Sequence, residues 1–179
     1  MKKIMFILLV VILVTGCGEI SNTPTKQVEA FLNKYQTLDR EVLDDLENVI
    51  YQEESFSDEN RKKYREIIKK QYKNMTYKIK DEEVNADVAI VTTEISVLDF
   101  SKPLAEAREY QKSHPQEFLD LNGVYQESLY SNYVISKLED VQEKVKYTLE
   151  IKLSKIDGKW KIDAIDDETE DKILGIYQY

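Results

Sequence analysis

Cys17 is the single thiol of this 179-residue chain and His114 its single imidazole, and acids outnumber bases by 34 to 25. Those counts bound the chemistry. One cysteine cannot close an intramolecular disulfide, and one histidine excludes a His pair, a His-Cys metal site and a relay with two imidazoles. His114 precedes Pro115, which pushes it away from helical conformation, and its neighbour Ser113 is not expected to face it. It reads first as a loop residue and second as a general base. Nucleophile elbow, phosphate-binding glycine loop and zinc spacing are all missing from the sequence. Asp44-Asp45, Glu53-Glu54, Asp81-Glu82-Glu83 and Asp166-Asp167-Glu168 carry oxygens that suit Ca²⁺ or acid–base work, but none has calcium-loop spacing. They read as solvated faces and turns, so no metal and no cofactor is expected.

Cys17 needs its own account. Lys2 and Lys3 precede an apolar run from Ile4 to Val14, which leads into Val14-Thr15-Gly16-Cys17. A basic start, a short apolar core and a small-residue exit make a secretory signal. At 1.5 Å per residue the run covers about half of a roughly 30 Å hydrocarbon core, too little for a spanning helix. Val14-Thr15-Gly16-Cys17 resembles the lipobox of bacterial lipoproteins. The resemblance implies cleavage between Gly16 and Cys17, a diacylglyceryl group on the Cys17 thiol, and a mature protein held at the extracytoplasmic face of the cell membrane. Two acyl chains exceed the threshold for stable anchoring. Residues 1–16 are then the signal peptide, 17–25 a polar tether, and 26–179 one domain large enough for a real core.

Without the two leader lysines the chain keeps 23 bases against 34 acids, a formal charge of −11. Such a surface repels phosphate backbones, so nucleic acid is not an expected partner, and the anchor is expected to hold the membrane without a polybasic patch. A protein partner or cationic peptide remains electrostatically allowed.

The elements that must position these groups follow from periodicity. Thr23-Pro24 caps a helix over about 24–37, Asp39 a second, and Ser57 a third. The period then falls from 3.6 to 2. Tyr77 and Ile79 begin one strand, and Val88 to Phe100 form another, long enough to need a bend or bulge. Residues 101–139 read as a helical insertion, interrupted near Asn122-Gly123. Lys144 to Ser154 alternate cleanly, and Asp157-Gly158 turns that strand back through Trp160 and Ile162. The fold class is α+β: N-terminal helices packed on a curved antiparallel sheet of about four strands, with a helical insertion between two hairpins.

The leading amphipathic helix, the long strand and the closing Lys155-Ile156-Asp157-Gly158-Lys159-Trp160-Lys161-Ile162 hairpin resemble the cone-shaped nuclear-transport-factor-2-like (cystatin-like) domains of many small bacterial lipoproteins. That resemblance implies an opening between sheet and helices where apolar ligands bind. Tyr110, Tyr125, Leu129, Tyr133 and Trp160 are the candidate lining, with core packing the competing reading for the same aromatics. The expected role is a non-enzymatic binding or accessory module for a peptide, a protein or a small apolar ligand. The alternatives are a small isomerase- or dehydratase-like enzyme using a buried carboxylate or His114, and a structural subunit with an exposed apolar patch on 101–139.

Overall fold

The computed structural model describes residues 22–178. The expected signal peptide over residues 1–16, with Gly16 and Cys17 at its expected cleavage site, lies outside the described residues. Asn22 bonds both backbone groups of Trp160.

Three capped helices come first. In α1 (Pro24–Thr37) the Thr23 hydroxyl accepts from the Lys26 amide at 3.3 Å. Asp39 caps α2 (Arg40–Gln52) and Ser57 caps α3 (Asp58–Asn74), as the sequence predicts. The remaining elements are β1 (Thr76–Asn85), β2 (Val88–Leu98), α4 (Ser101–Ser113), a 3₁₀ turn at Pro115–Phe118, α5 (Glu127–Glu139), β3 (Lys144–Ile156), β4 (Lys159–Ile162) and α6 (Asp167–Leu174). The fold is α+β, with six α-helices among the described residues and one antiparallel sheet ordered β1-β2-β3-β4.

The bend expected in the long second strand falls elsewhere. β2 and β3 pair without a break from Val88 opposite Ser154 to Leu98 opposite Lys144, while the register shifts in β1 between Ile79 and Asp81. β2 is bonded on both sides and buries Ala89, Val91, Thr93, Ile95 and Val97 on one face, so an extra residue there would disrupt two ladders. The edge strand β1 has only one ladder to disturb. β2 also stops at Leu98 rather than Phe100, because the Asp99 carboxylate accepts from the Ser101 amide and hydroxyl and starts α4.

The core lies between the helix-facing side of β2 and β3 and the apolar stripes of α1 and α3, with Leu32, Ile68, Ile95, Tyr147 and Leu149 almost fully buried. Asp157 (φ 52°) and Gly158 (φ 76°) supply the positive φ values of a type I′ turn, which sets the short β4 against β3. The α4–α5 insertion packs on itself and on α3. Asn60 Nδ2 donates to Asn132 Oδ1 at 2.6 Å and the Ser55 and Ser131 hydroxyls meet at 2.8 Å, fastening α5 to the start of α3.

Candidate functional site

The structure divides the five expected pocket residues between two places. Tyr110 and Tyr133 do meet: the Tyr110 ring stacks on Tyr133 at 4.8 Å and on His114 at 4.2 Å, and Phe118 stands edge-on to both tyrosines. This is a small aromatic cluster inside the insertion, separate from the main core. Tyr125 lies beside it, its hydroxyl accepting from Gln111 Nε2 at 2.6 Å, but the ring is 42% exposed. Leu129 is also exposed, as are Leu119, Leu121 and Val124 on the preceding loop. Trp160 belongs to β4, which packs against α1 rather than the insertion.

Ser113 and His114 depart from the expectation that they would not face each other. The His114 backbone (φ −130°, ψ 50°) turns the ring back over the end of α4, bringing Nδ1 to 2.9 Å from the Ser113 hydroxyl. That hydroxyl has one proton and reaches the helix-end carbonyls of Glu109 at 2.9 Å and Tyr110 at 3.1 Å, so it acts as a C-terminal cap. The imidazole is held by its stack on Tyr110.

A different set of residues forms a cleft. Tyr35 from α1, Val42, Asp45 and Leu46 from α2, Tyr64, Ile68 and Tyr72 from α3, and Glu170, Ile173 and Leu174 from α6 enclose about 180 Å³. The apolar stripes of four helices converge here but do not close. The Tyr35 and Tyr72 rings meet edge-to-face at 5.0 Å, with Phe31 packed behind Tyr35 and Phe56 behind Tyr64.

Tyr72 is the informative member. It is 8% exposed as a residue, and it lines the cleft. Burial, then the Glu170 and Asp45 charges, pushes the Tyr35 hydroxyl up to about 12. Burial and the neighbouring Tyr35 and Tyr64 push Tyr72 up further, and burial with Glu53 raises Tyr64. All three phenols are therefore neutral at physiological pH. They present O–H groups and ring faces beside two carboxylates, a surround that suits a cation with an apolar stem.

Asp44-Asp45 illustrates why sequence reading missed the cleft. Asp44 is exposed and pairs with Arg40 at 3.5 Å, as expected of an acidic run, whereas Asp45, also exposed but one step round the helix, borders the cleft. Among the described residues no group of three or more His, Cys, Asp or Glu is arranged to hold a metal ion. None of their helices is long and apolar enough to cross a membrane.

The fold and cleft thus define an α+β domain with a small aromatic, acidic cleft between helices. No family model matches the chain. No curated protein matches it either. It is similar in structure to a candidate lipoprotein of Bacillus subtilis, ycdA, at 14% identity and a TM-score of 0.40, over 82% of this chain and 45% of that one. The chain thus spans about half the length of that protein.

Proposed function

We propose that this protein is a lipid-anchored, extracytoplasmic binding module of the cone-like class, tethered through Cys17, whose helix cleft takes a basic side chain of a peptide or protein partner. The sequence Val14-Thr15-Gly16-Cys17 after a basic, apolar leader supports the anchor. The observation that carries the ligand class is the lining of the cleft, where the tyrosines Tyr35, Tyr64 and Tyr72 stand with Asp45 and Glu170 around an apolar floor.

A volume near 180 Å³ suits one side chain better than a whole small molecule, since ligand pockets run from roughly 300 Å³ upward. A lysine fills such a space with its methylenes against Ile68 and Ile173. Its ammonium then meets the carboxylates and the aromatic faces. The anchor would raise the local concentration of the module toward a membrane-associated partner.

The test uses a fluorescent peptide of alternating Lys and Leu, titrated with the protein. Wild type is expected to bind, and Asp45→Asn with Glu170→Gln to weaken binding roughly tenfold or more, as loss of charge-assisted bonds does. Tyr72→Phe is expected to weaken it with folding intact. Equal affinities for wild type and variants would refute the cleft. Cys17→Ala protein that stays as firmly membrane-bound as wild type would refute the anchor.

A further inference from the structure

The chain enters the fold at one end of the sheet. Asn22 Nδ2 donates to the Trp160 carbonyl at 3.2 Å and Asn22 Oδ1 accepts from the Trp160 amide, so this side chain extends the free edge of β4 by one residue. The Thr25 amide and hydroxyl donate to the Glu82 carboxylate of β1 at 2.9 and 2.6 Å. Both hairpin turns lie at this same end, because the Lys155 amide donates to the Asp87 carbonyl at 2.8 Å. The cleft lies at the other end, where Gln71 joins Leu98 to Leu174.

Two features set the hairpin end apart. Val84, Val88 and Ile156 are each about half exposed there. The segment from 152 to 161 holds Lys152, Lys155, Lys159 and Lys161 against a single acid, Asp157, in a chain whose formal charge is −9. Lys159 and Lys161 pair with Ile156 and Ser154, so lysines surround the exposed isoleucine. Glu82, Glu83 and Asp87 on the neighbouring hairpin, with Asp157, equal the four lysines in number, so the positive charge is local to the β3–β4 hairpin.

Only four residues lie between Cys17 and Asn22, five Cα steps with a reach of at most roughly 18 Å when fully extended. With acyl chains on Cys17, that reach keeps the Asn22–Trp160 junction close to the lipid headgroups. The tether brings this end to the bilayer, and there the lysines of the β3–β4 hairpin, on the strand pair away from Glu82 and Glu83, are the groups an anionic leaflet attracts. We propose that the hairpin end of the sheet is the membrane-facing surface, with Ile156 and Val88 in the headgroup layer and Lys152, Lys159 and Lys161 on anionic lipid phosphates. This rests on the anchor reading above. The helix cleft would then open at the end of the sheet away from the bilayer.

The experiment uses full-length lipidated protein carrying Ile156→Cys, spin-labelled and reconstituted into vesicles of phosphatidylglycerol and phosphatidylcholine. Lys144→Cys is the companion variant, because Lys144 is exposed on the same strand roughly 40 Å away. Mass spectrometry of Cys17 and co-flotation with vesicles are read first. The label at 156 is expected to be several-fold less accessible to a water-soluble relaxation agent than the label at 144. Adding Lys159→Glu and Lys161→Glu is expected to reduce that difference while the protein still floats. Equal accessibility at the two positions in protein that is lipidated and floats would overturn the docking surface alone. A Cys17 without lipid would overturn the anchor, and the docking surface with it.

Discussion

The side-chain amide of Gln71 lies along the backbone of Leu98, its Oε1 accepting from the Leu98 amide at 2.7 Å and its Nε2 donating to the Leu98 carbonyl at 2.9 Å. β1 begins at Thr76, opposite Ser96, so on that side the ladder ends before Leu98. Gln71 stands in for the missing strand residue. Nε2 also donates to the Leu174 carbonyl at 2.6 Å, which ties α3, β2 and α6 together beside the cleft.

Gln71→Ala is therefore expected to be among the most damaging single changes. It strips partners from backbone groups at a fully buried position and leaves a void, for a cost of about 3 kcal/mol. Urea denaturation monitored by Trp160 fluorescence measures it. A loss near zero would mean that water replaces the amide.

Gly175 closes the same junction. It ends α6 with φ 74° and its carbonyl accepts from the Phe100 amide at 2.9 Å. A Cβ there would overlap the Leu98 carbonyl and the Gln71 amide. Gly175→Ala should cost more than the roughly 1 kcal/mol of left-handed strain alone. In a Gln71→Ala background part of the clash disappears, so the double variant should be less damaged than the sum of the two singles. Strict additivity would show that the two residues act independently.

These junctions were hard to read from sequence, whereas much of the frame was easy. Thr23, Asp39 and Ser57 announce three helices because a cap is a local interaction within four residues. The β3 alternation and Asp157-Gly158 announce the final hairpin in the same way. The cleft is different. Tyr35, Tyr64 and Tyr72 occupy core positions on helical stripes, and nothing local distinguishes a tyrosine that fills a core from one that borders an opening. Only the packing of α2 and α6 decides it. The hairpin lysines were hidden by averaging, since a net charge of −9 for the chain says nothing about four lysines that alternation and a tight turn bring together on one hairpin.

Thr93 sits in the middle of β2, fully buried, and its hydroxyl has no hydrogen-bond partner. Valine has nearly the same shape and keeps the branched side chain that a strand favours. Thr93→Val is thus expected to stabilise the fold by about 1 kcal/mol, by removing an unpaired polar atom from an apolar layer. A rise in the thermal midpoint without loss of peptide binding is the expected readout. A fall would indicate that the hydroxyl is paired in solution.

Tyr35 gives the fold an alkaline limit. Its hydroxyl ionises at about 12 in the folded chain against 10.0 ordinarily, because burial and the Glu170 and Asp45 charges oppose the phenolate. Below pH 10 the phenol is neutral whether folded or not, and its contribution to stability is fully present. As the pH rises from 10 toward 12 the unfolded chain ionises first, so that contribution is progressively lost, by up to about 2 kcal/mol. Tyr72 shifts in the same direction and adds to the loss. Stability measured by urea denaturation across this window should fall more steeply for wild type than for Tyr35→Phe, which cannot ionise there. Phenolate absorbance should show the corresponding late-titrating group disappearing in the variant. Identical pH profiles for the two proteins would mean that water enters the cleft freely enough to solvate the Tyr35 anion, and the cleft would then be too wet to favour a basic side chain over bulk solvent.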